Sequence, residues 1–135
     1  YFIPANFSKL AEFKNDARYF KGFNLFINLK EANILIDSNK LKNAMDASIA
    51  IFEKIKTETC LTIVTDGPNI ACGVSNEGVA KVQPEDIKGT ASRLGAGDAF
   101  FAYFLSYKEL NPSASLKKSL YAANKKIQNH LKAND

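Results

Sequence analysis

A chain of 135 residues, 46% hydrophobic and 24% charged, fits one globular domain spanning 1–135 and excludes a disordered tail or a fibrous repeat. Its net charge of +4 comes from lysines scattered along the sequence, not gathered into a stripe, and the aromatic-basic interleaving of a nucleic-acid binder is missing. Two cysteines, Cys60 and Cys72, are too few for a disulfide framework or a zinc site. Both stand in apolar runs and read as buried free thiols of a reducing, cytoplasmic compartment. The single histidine, His130, has no partner for a metal site or a nucleophile–base pair and reads as surface. No apolar run approaches the roughly 20 residues of a membrane span, and no signal-peptide pattern opens the chain.

The opening Tyr1-Phe2-Ile3, without a Met, reads as a strand cut from a longer polypeptide. After Pro4, Asn6 or Ser8 is placed to cap a short helix carrying Leu10, Ala11 and Phe13, which Gly22 ends. Phe23 to Ile27 has strand length and composition, and a brief helix is expected from Asn28-Leu29-Lys30-Glu31. Ser38 or Asn39 is expected to start a stronger helix whose buried face is Leu41, Met45, Ile49, Phe52 and Ile55. Cys60 to Thr65 is β-branched and apolar, as central strands are. Asp66 to Asn69 is a turn by composition. Ile70 to Val74 and Val79 to Val82 follow as strands around an Asn76-Glu77-Gly78 turn, and a polar loop runs from Gln83 to about Leu94. Ala99 to Leu105 is apolar on all sides, so it is a buried helix or a buried strand; periodicity does not separate the two. Ser113 is expected to cap a last helix with the face Leu116, Leu120, Ala123, Ile127 and Leu131. The alternation of helices and strands argues an α/β fold with some antiparallel strands at one edge.

Gly95-Ala96-Gly97-Asp98 is the stretch richest in chemistry. Its glycines let a ligand approach the main chain closely. If a helix starts there, its unpaired N–H groups and its dipole favour an anion, and a carboxylate stands beside that hole. Such a pair suits a general base next to a transferring anionic group. The same residues also fit a plain glycine turn with Asp98 as an ordinary helix-start acid. No G-x-x-x-x-G-K-[ST] is present, and the dinucleotide fingerprint fails because Phe100 stands where its third glycine belongs.

Gly95-Ala96-Gly97-Asp98-Ala99-Phe100-Phe101 with Phe104-Leu105 resembles the second signature of the ribokinase-like (PfkB) carbohydrate kinases. Asn28-Leu29-Lys30-Glu31 after a strand resembles that family's N-x-x-E motif, and Thr65-Asp66-Gly67 its T-x-G turn. The order and spacing of the three carry more than any one alone. The resemblance covers nearly the whole chain but only the C-terminal half of a family member, and the layout from Tyr1 to Glu31 is most similar to the pseudouridine kinase branch.

The resemblance implies the C-terminal part of a three-layer α/β/α fold. It also implies an ATP- and Mg²⁺-dependent phosphotransferase whose acceptor is a hydroxyl of a sugar or nucleoside. It makes Asp98 the catalytic base and the amides of Gly95, Ala96 and Gly97 the anion hole. Asn28 and Glu31 would organise the metal, while Thr65, Gly67, Arg93 and Asn124 would line the nucleotide. Two departures stand out. Ser92-Arg93-Leu94 replaces the usual Asp-Thr-Thr, which puts a monovalent-cation site in doubt and offers Arg93 as either a phosphate contact or a surface residue. Ile70 replaces the second glycine of the turn motif. Asn124 fits an adenine contact or a surface amide. Because the half that carries the sugar site is not in these residues, a non-catalytic nucleotide-binding or interaction module is the alternative reading. The oligomeric state is not legible.

Overall fold

The computed structural model describes residues 24–35, 41–55, 61–67, 69–83 and 96–133, with the backbone alone for 55, 96–98 and 130–133. The short helix expected near Ser8, the residues Tyr1 to Phe23, Cys60, the 84–95 loop and the side chain of His130 lie outside that description.

Strand β1 (Leu25–Asn28) runs directly into helix α1 (Leu29–Leu35), and helix α2 (Ala44–Ile55) follows. Strand β2 (Thr62–Thr65) then pairs parallel with β1, Leu25 opposite Thr62 and Asn28 opposite Thr65. Strands β3 (Ala71–Ser75) and β4 (Gly78–Val82) add antiparallel in the order β1-β2-β3-β4. Helices α3 (Ala96–Leu110) and α4 (Leu116–Ala133) complete the described chain.

The pleat sends successive side chains to opposite faces of this sheet, and helices cover both. Phe26, Ile63, Ala71, Ala80 and Val82 pack with Phe100, Phe101, Phe104, Leu116, Leu120, Ala123 and Ile127 of α3 and α4. Leu25, Ile27, Val64 and Cys72 pack with Ala32 and Leu35 of α1 and with Ala44, Ala47 and Ile51 of α2. The result is three layers, α/β/α, in which β1 and β2 are buried on both faces and therefore read as continuous apolar runs. On β4 only Ala80 and Val82 are buried; Val79 and Lys81 face solvent, as an edge strand requires. Gly73 fits a crowded spot, since a Cβ there would come within 3.1 Å of Leu120 Cδ1 and 3.2 Å of Leu116 Cδ1.

Local chemistry moves some boundaries from the sequence expectation. Helix α2 starts after Asn43 and not at Ser38 or Asn39, because Asn43 Oδ1 accepts the Asp46 N–H at 2.8 Å and caps the helix there. That shift rotates its buried face to Ala44, Ala47, Ser48, Ile51 and Phe52, and leaves Ile49, an expected core position, 37% exposed. Helix α4 is capped by Ser115, not Ser113: Ser115 Oγ accepts the Lys118 N–H at 3.1 Å. The apolar run Ala99 to Leu105 is helical, resolving the ambiguity, and its far side is open at Ala102 and Ser106. Among the described residues no helix is long and apolar enough to cross a membrane.

Candidate functional site

Asn28 is the last residue of β1 and Thr65 the last of β2, and the two are direct neighbours in the parallel register. Asn28 also caps α1. Its Oδ1 accepts the Glu31 N–H at 2.8 Å, while Glu31 Oε1 accepts the Asn28 N–H at 2.9 Å. This reciprocal pair is a capping box, with Asn in place of the usual Ser or Thr. It fixes both side chains at the exposed carboxyl end of the strand. The N-x-x-E spacing thus has a structural purpose independent of any ligand, one that the sequence reading missed although the spacing itself signals it.

Beyond Thr65 the chain turns sharply. Gly67 has φ of +55°, a left-handed conformation that side chains rarely adopt, so glycine is required there by the turn itself. Asp66 closes the turn by accepting from Asn69 twice, at its carbonyl (2.9 Å) and at Oδ2 (3.2 Å). A cavity of about 450 Å³ opens beside this turn, lined by Lys42, Asp46, Asp66, Asn69, Ile70 and Gln83.

The sheet has two ends, and the helical hairpin assigns α3 to one of them. The Glu77 carboxylate in the β3–β4 turn accepts the Leu116 N–H at 3.3 Å, so α4 starts at the end opposite Asn28 and Thr65. Lys108 Nζ donates to the Ala114 carbonyl at 2.8 Å, which holds the C-terminal end of α3 at that same far end. Fifteen residues of helix span about 22 Å, so α3 begins at the near end, with the strand termini. Its Phe100 and Phe101 pack on β1, their rings 5.9 Å and 4.5 Å from that of Phe26. Ala96, Gly97 and Asp98 therefore form the first turn of a helix whose unpaired N–H groups open at the carboxyl ends of β1 and β2.

Asn124 reaches the same end from α4. Its Nδ2 donates to the Gln83 carbonyl at 3.3 Å, just past β4, and its Oδ1 accepts from Gln128 Nε2 at 3.4 Å. Gln128 Oε1 is buried without a hydrogen-bond partner. Asn28, Glu31, Thr65, Gly67, Asn124 and the start of α3 thus lie at the same end of the sheet, Asn124 on the β4 side and Asn28 three strands away on β1. Gly95 and Arg93 lie outside the described residues, as does the side chain of Asp98.

The arrangement suits an anion held against a helix terminus beside strand ends, the usual ligand position in open α/β sheets. Among the described residues no group of three or more His, Cys, Asp or Glu gathers to hold a metal alone. The donor set of Asn28 and Glu31 fits a hard cation that keeps most of its ligands as water and phosphate oxygens, since one oriented carboxylate suffices for Mg²⁺ held that way.

The structure is similar to adenosine kinase from Trypanosoma brucei brucei, with a TM-score of 0.68 and 16% identity over 85% of this chain and 37% of that one. It is also similar to phosphofructokinase-2 from Escherichia coli, solved with substrates and products, with a TM-score of 0.65 and 21% identity over 94% of this chain and 46% of that one. An Escherichia coli protein of the ribokinase II kind, in complex with ATP and Mg²⁺, matches with a TM-score of 0.60 and 17% identity over 83% and 34%. No family model and no curated protein matches the chain. At these identities the likeness defines the fold: a ribokinase-like α/β/α arrangement of parallel strands with an antiparallel edge. The chain spans less than half the length of the structures it matches.

Proposed function

We propose that the chain is the nucleotide-binding, C-terminal part of an ATP-dependent kinase that phosphorylates a hydroxyl of a sugar or nucleoside, with pseudouridine as the first acceptor to test. The observation that carries this reading is the convergence at one end of the sheet. Two of the sequence motifs are register neighbours there, the strand-end Asn28 with Glu31 and the Thr65–Gly67 turn, and the direction of α3 supports its first turn opening at the same end of the sheet.

In this mechanism the N–H groups of Gly95, Ala96 and Gly97 bind the oxygens of the transferring phosphoryl group, aided by the helix dipole. Asp98 takes the proton of the acceptor hydroxyl as its oxygen bonds to the γ-phosphorus and the bond to the β-phosphate oxygen breaks, leaving ADP. Thr65 and Gly67 line the nucleotide, Arg93 adds positive charge at its phosphates, and Asn124 contacts the base. Asn28 and Glu31 would hold Mg²⁺ through its waters. The metal, when bound, neutralises charge on the triphosphate. Catalysis here is positioning and electrostatics, with no covalent intermediate.

The test is Asp98→Asn in the longer polypeptide that carries an acceptor site. Turnover falls by several orders of magnitude while ATP affinity stays within about twofold; unchanged turnover removes Asp98 from the mechanism. Calorimetric binding of Mg-ATP with no ADP formation from any acceptor in that longer polypeptide would overturn the catalytic reading and leave a nucleotide-binding module.

A further inference from the structure

Helices α3 and α4 leave a groove on the side away from the sheet. It encloses about 680 Å³ and runs along both helices, from Leu110 at the C-terminal end of α3 to Asn129 on α4, five residues beyond Asn124. Its walls are apolar yet exposed. Leu110 is 79% accessible and Tyr121 60%, and the two line one groove whose exposed surface is mostly apolar. Along the α4 wall stand Lys118, Lys125 and Lys126. Seven residues separate Lys118 from Lys125, two helical turns, so the charges flank a trough about 10 Å long with Tyr121 between them.

Among the described residues no acidic side chain lines the groove. Among the described residues no hydrogen bond or ion pair engages the three ammonium groups; Lys118 donates to Ser115 Oγ through its backbone N–H. The trough therefore presents an apolar floor with a one-signed rim. An isologous second copy would set these lysines against themselves, which disfavours self-association. A small anion would need convergent short donors; among the described residues, apart from the flexible lysine tips and the hydroxyls of Tyr103, Tyr107 and Tyr121, only Ser106 and Asn129 line the groove as polar groups.

We propose that this groove docks an acidic amphipathic helix of a partner protein. Apolar residues of the helix at i, i+3 and i+7 would fill the space between Tyr107, Leu110 and Tyr121, while Glu or Asp on its flank pair with Lys118, Lys125 and Lys126. The recognition is that of a helix in a groove.

The experiment uses the full chain and a fluorescein-labelled helical peptide of about 16 residues, leucine on one face and glutamate on its flanks, beside a twin with lysine for every glutamate. Fluorescence anisotropy is expected to show micromolar binding of the acidic peptide, at least tenfold weaker binding of the basic twin, and steep weakening with salt. A triple reversal, K118E/K125E/K126E, is expected to cost at least tenfold, and Tyr121→Ala several-fold, with unchanged circular dichroism and melting. Equal binding of the two peptides, or none, overturns the proposal. So does displacement of the peptide by ATP, which would make the groove a small-anion site, or a concentration-dependent dimer that Tyr121→Ala dissolves, which would make its occupant a second copy.

Discussion

Replacing Glu31 by Gln separates the two jobs that its position allows. Glutamine keeps the oxygen that accepts the Asn28 N–H at 2.9 Å, and the Glu31 N–H still reaches Asn28 Oδ1, so the capping box survives. What goes is the charge. Near the start of a helix that costs about 0.3–1 kcal/mol. With an unfolding entropy of roughly 2.1 cal/mol/K per residue, the 135-residue chain loses about 1–3.5 °C of melting temperature. A carboxylate about 4 Å from a divalent ion in water-like surroundings gains about 2 kcal/mol, or roughly 30-fold in affinity. Titration calorimetry of ATP onto wild type and Glu31→Gln, with Mg²⁺ and with chelator, should show a loss of about that size with Mg²⁺ and none without it. Glu31→Ala should match Glu31→Gln in binding but melt lower, by about a further 2–4 °C, because it also opens the cap. If Glu31→Gln binds Mg-ATP like wild type, the carboxylate serves the helix alone and the metal assignment fails.

Other consequences follow from single positions. Gly67→Ala, at φ of +55° with open space around the added Cβ, should cost about 1–2 kcal/mol of backbone strain in urea unfolding, and Gly67→Asn less; an unchanged midpoint for the alanine variant would mean that the turn tolerates side chains. Burial pushes the Cys72 thiol above its ordinary value, with the Ser48 hydrogen bond and the Lys81 charge opposing. Above the unfolded thiol's value of about 8.5–9 the unfolded chain sheds a proton that the folded chain keeps, so stability should fall as pH rises from about 8 to 10. Urea midpoints across that range should show a smaller decline in Cys72→Ala than in wild type.

The sequence exposed the parts of this fold that depend on local chemistry. The doubly buried strands announce themselves as apolar runs at Leu25 to Ile27 and at Leu61 to Val64, and the face Leu116, Leu120, Ala123 and Ile127 follows the helical period. Of the three short motifs behind the resemblance, two end neighbouring strands, with Asn28 and Thr65 paired in register. Other features escaped because they depend on side chains choosing among near-equivalent caps. Ser113 and Ser115 are equally good caps by composition; the choice falls to Ser115, and Glu77, 39 residues away, accepts the next N–H. The burial of Ile49 was misjudged because the face was counted from Leu41, before the helix begins at Ala44. The Asn124–Gln128 pair and the Gln83 carbonyl it meets are likewise tertiary, joined only when α4 lies across the end of β4.

Glu77 offers the complementary dissociation to Glu31. Its carboxylate caps α4 at the end of the sheet opposite the strand termini, where negative charge meets the positive end of an eighteen-residue helix. Glu77→Ala removes that acceptor and the charge, at about 1 kcal/mol or a 3–4 °C lower melting temperature. The first turn of α3 is held separately, by Phe100 and Phe101 against Phe26 and by Phe104 in the core. Mg-ATP affinity should therefore stay within about twofold of wild type although stability drops, whereas Glu31→Gln shows the reverse weighting. A tenfold loss of ATP affinity in Glu77→Ala would require the tilt of α4 to be transmitted through Asn124 to the strand ends, and would count in favour of the proposed nucleotide role of that amide.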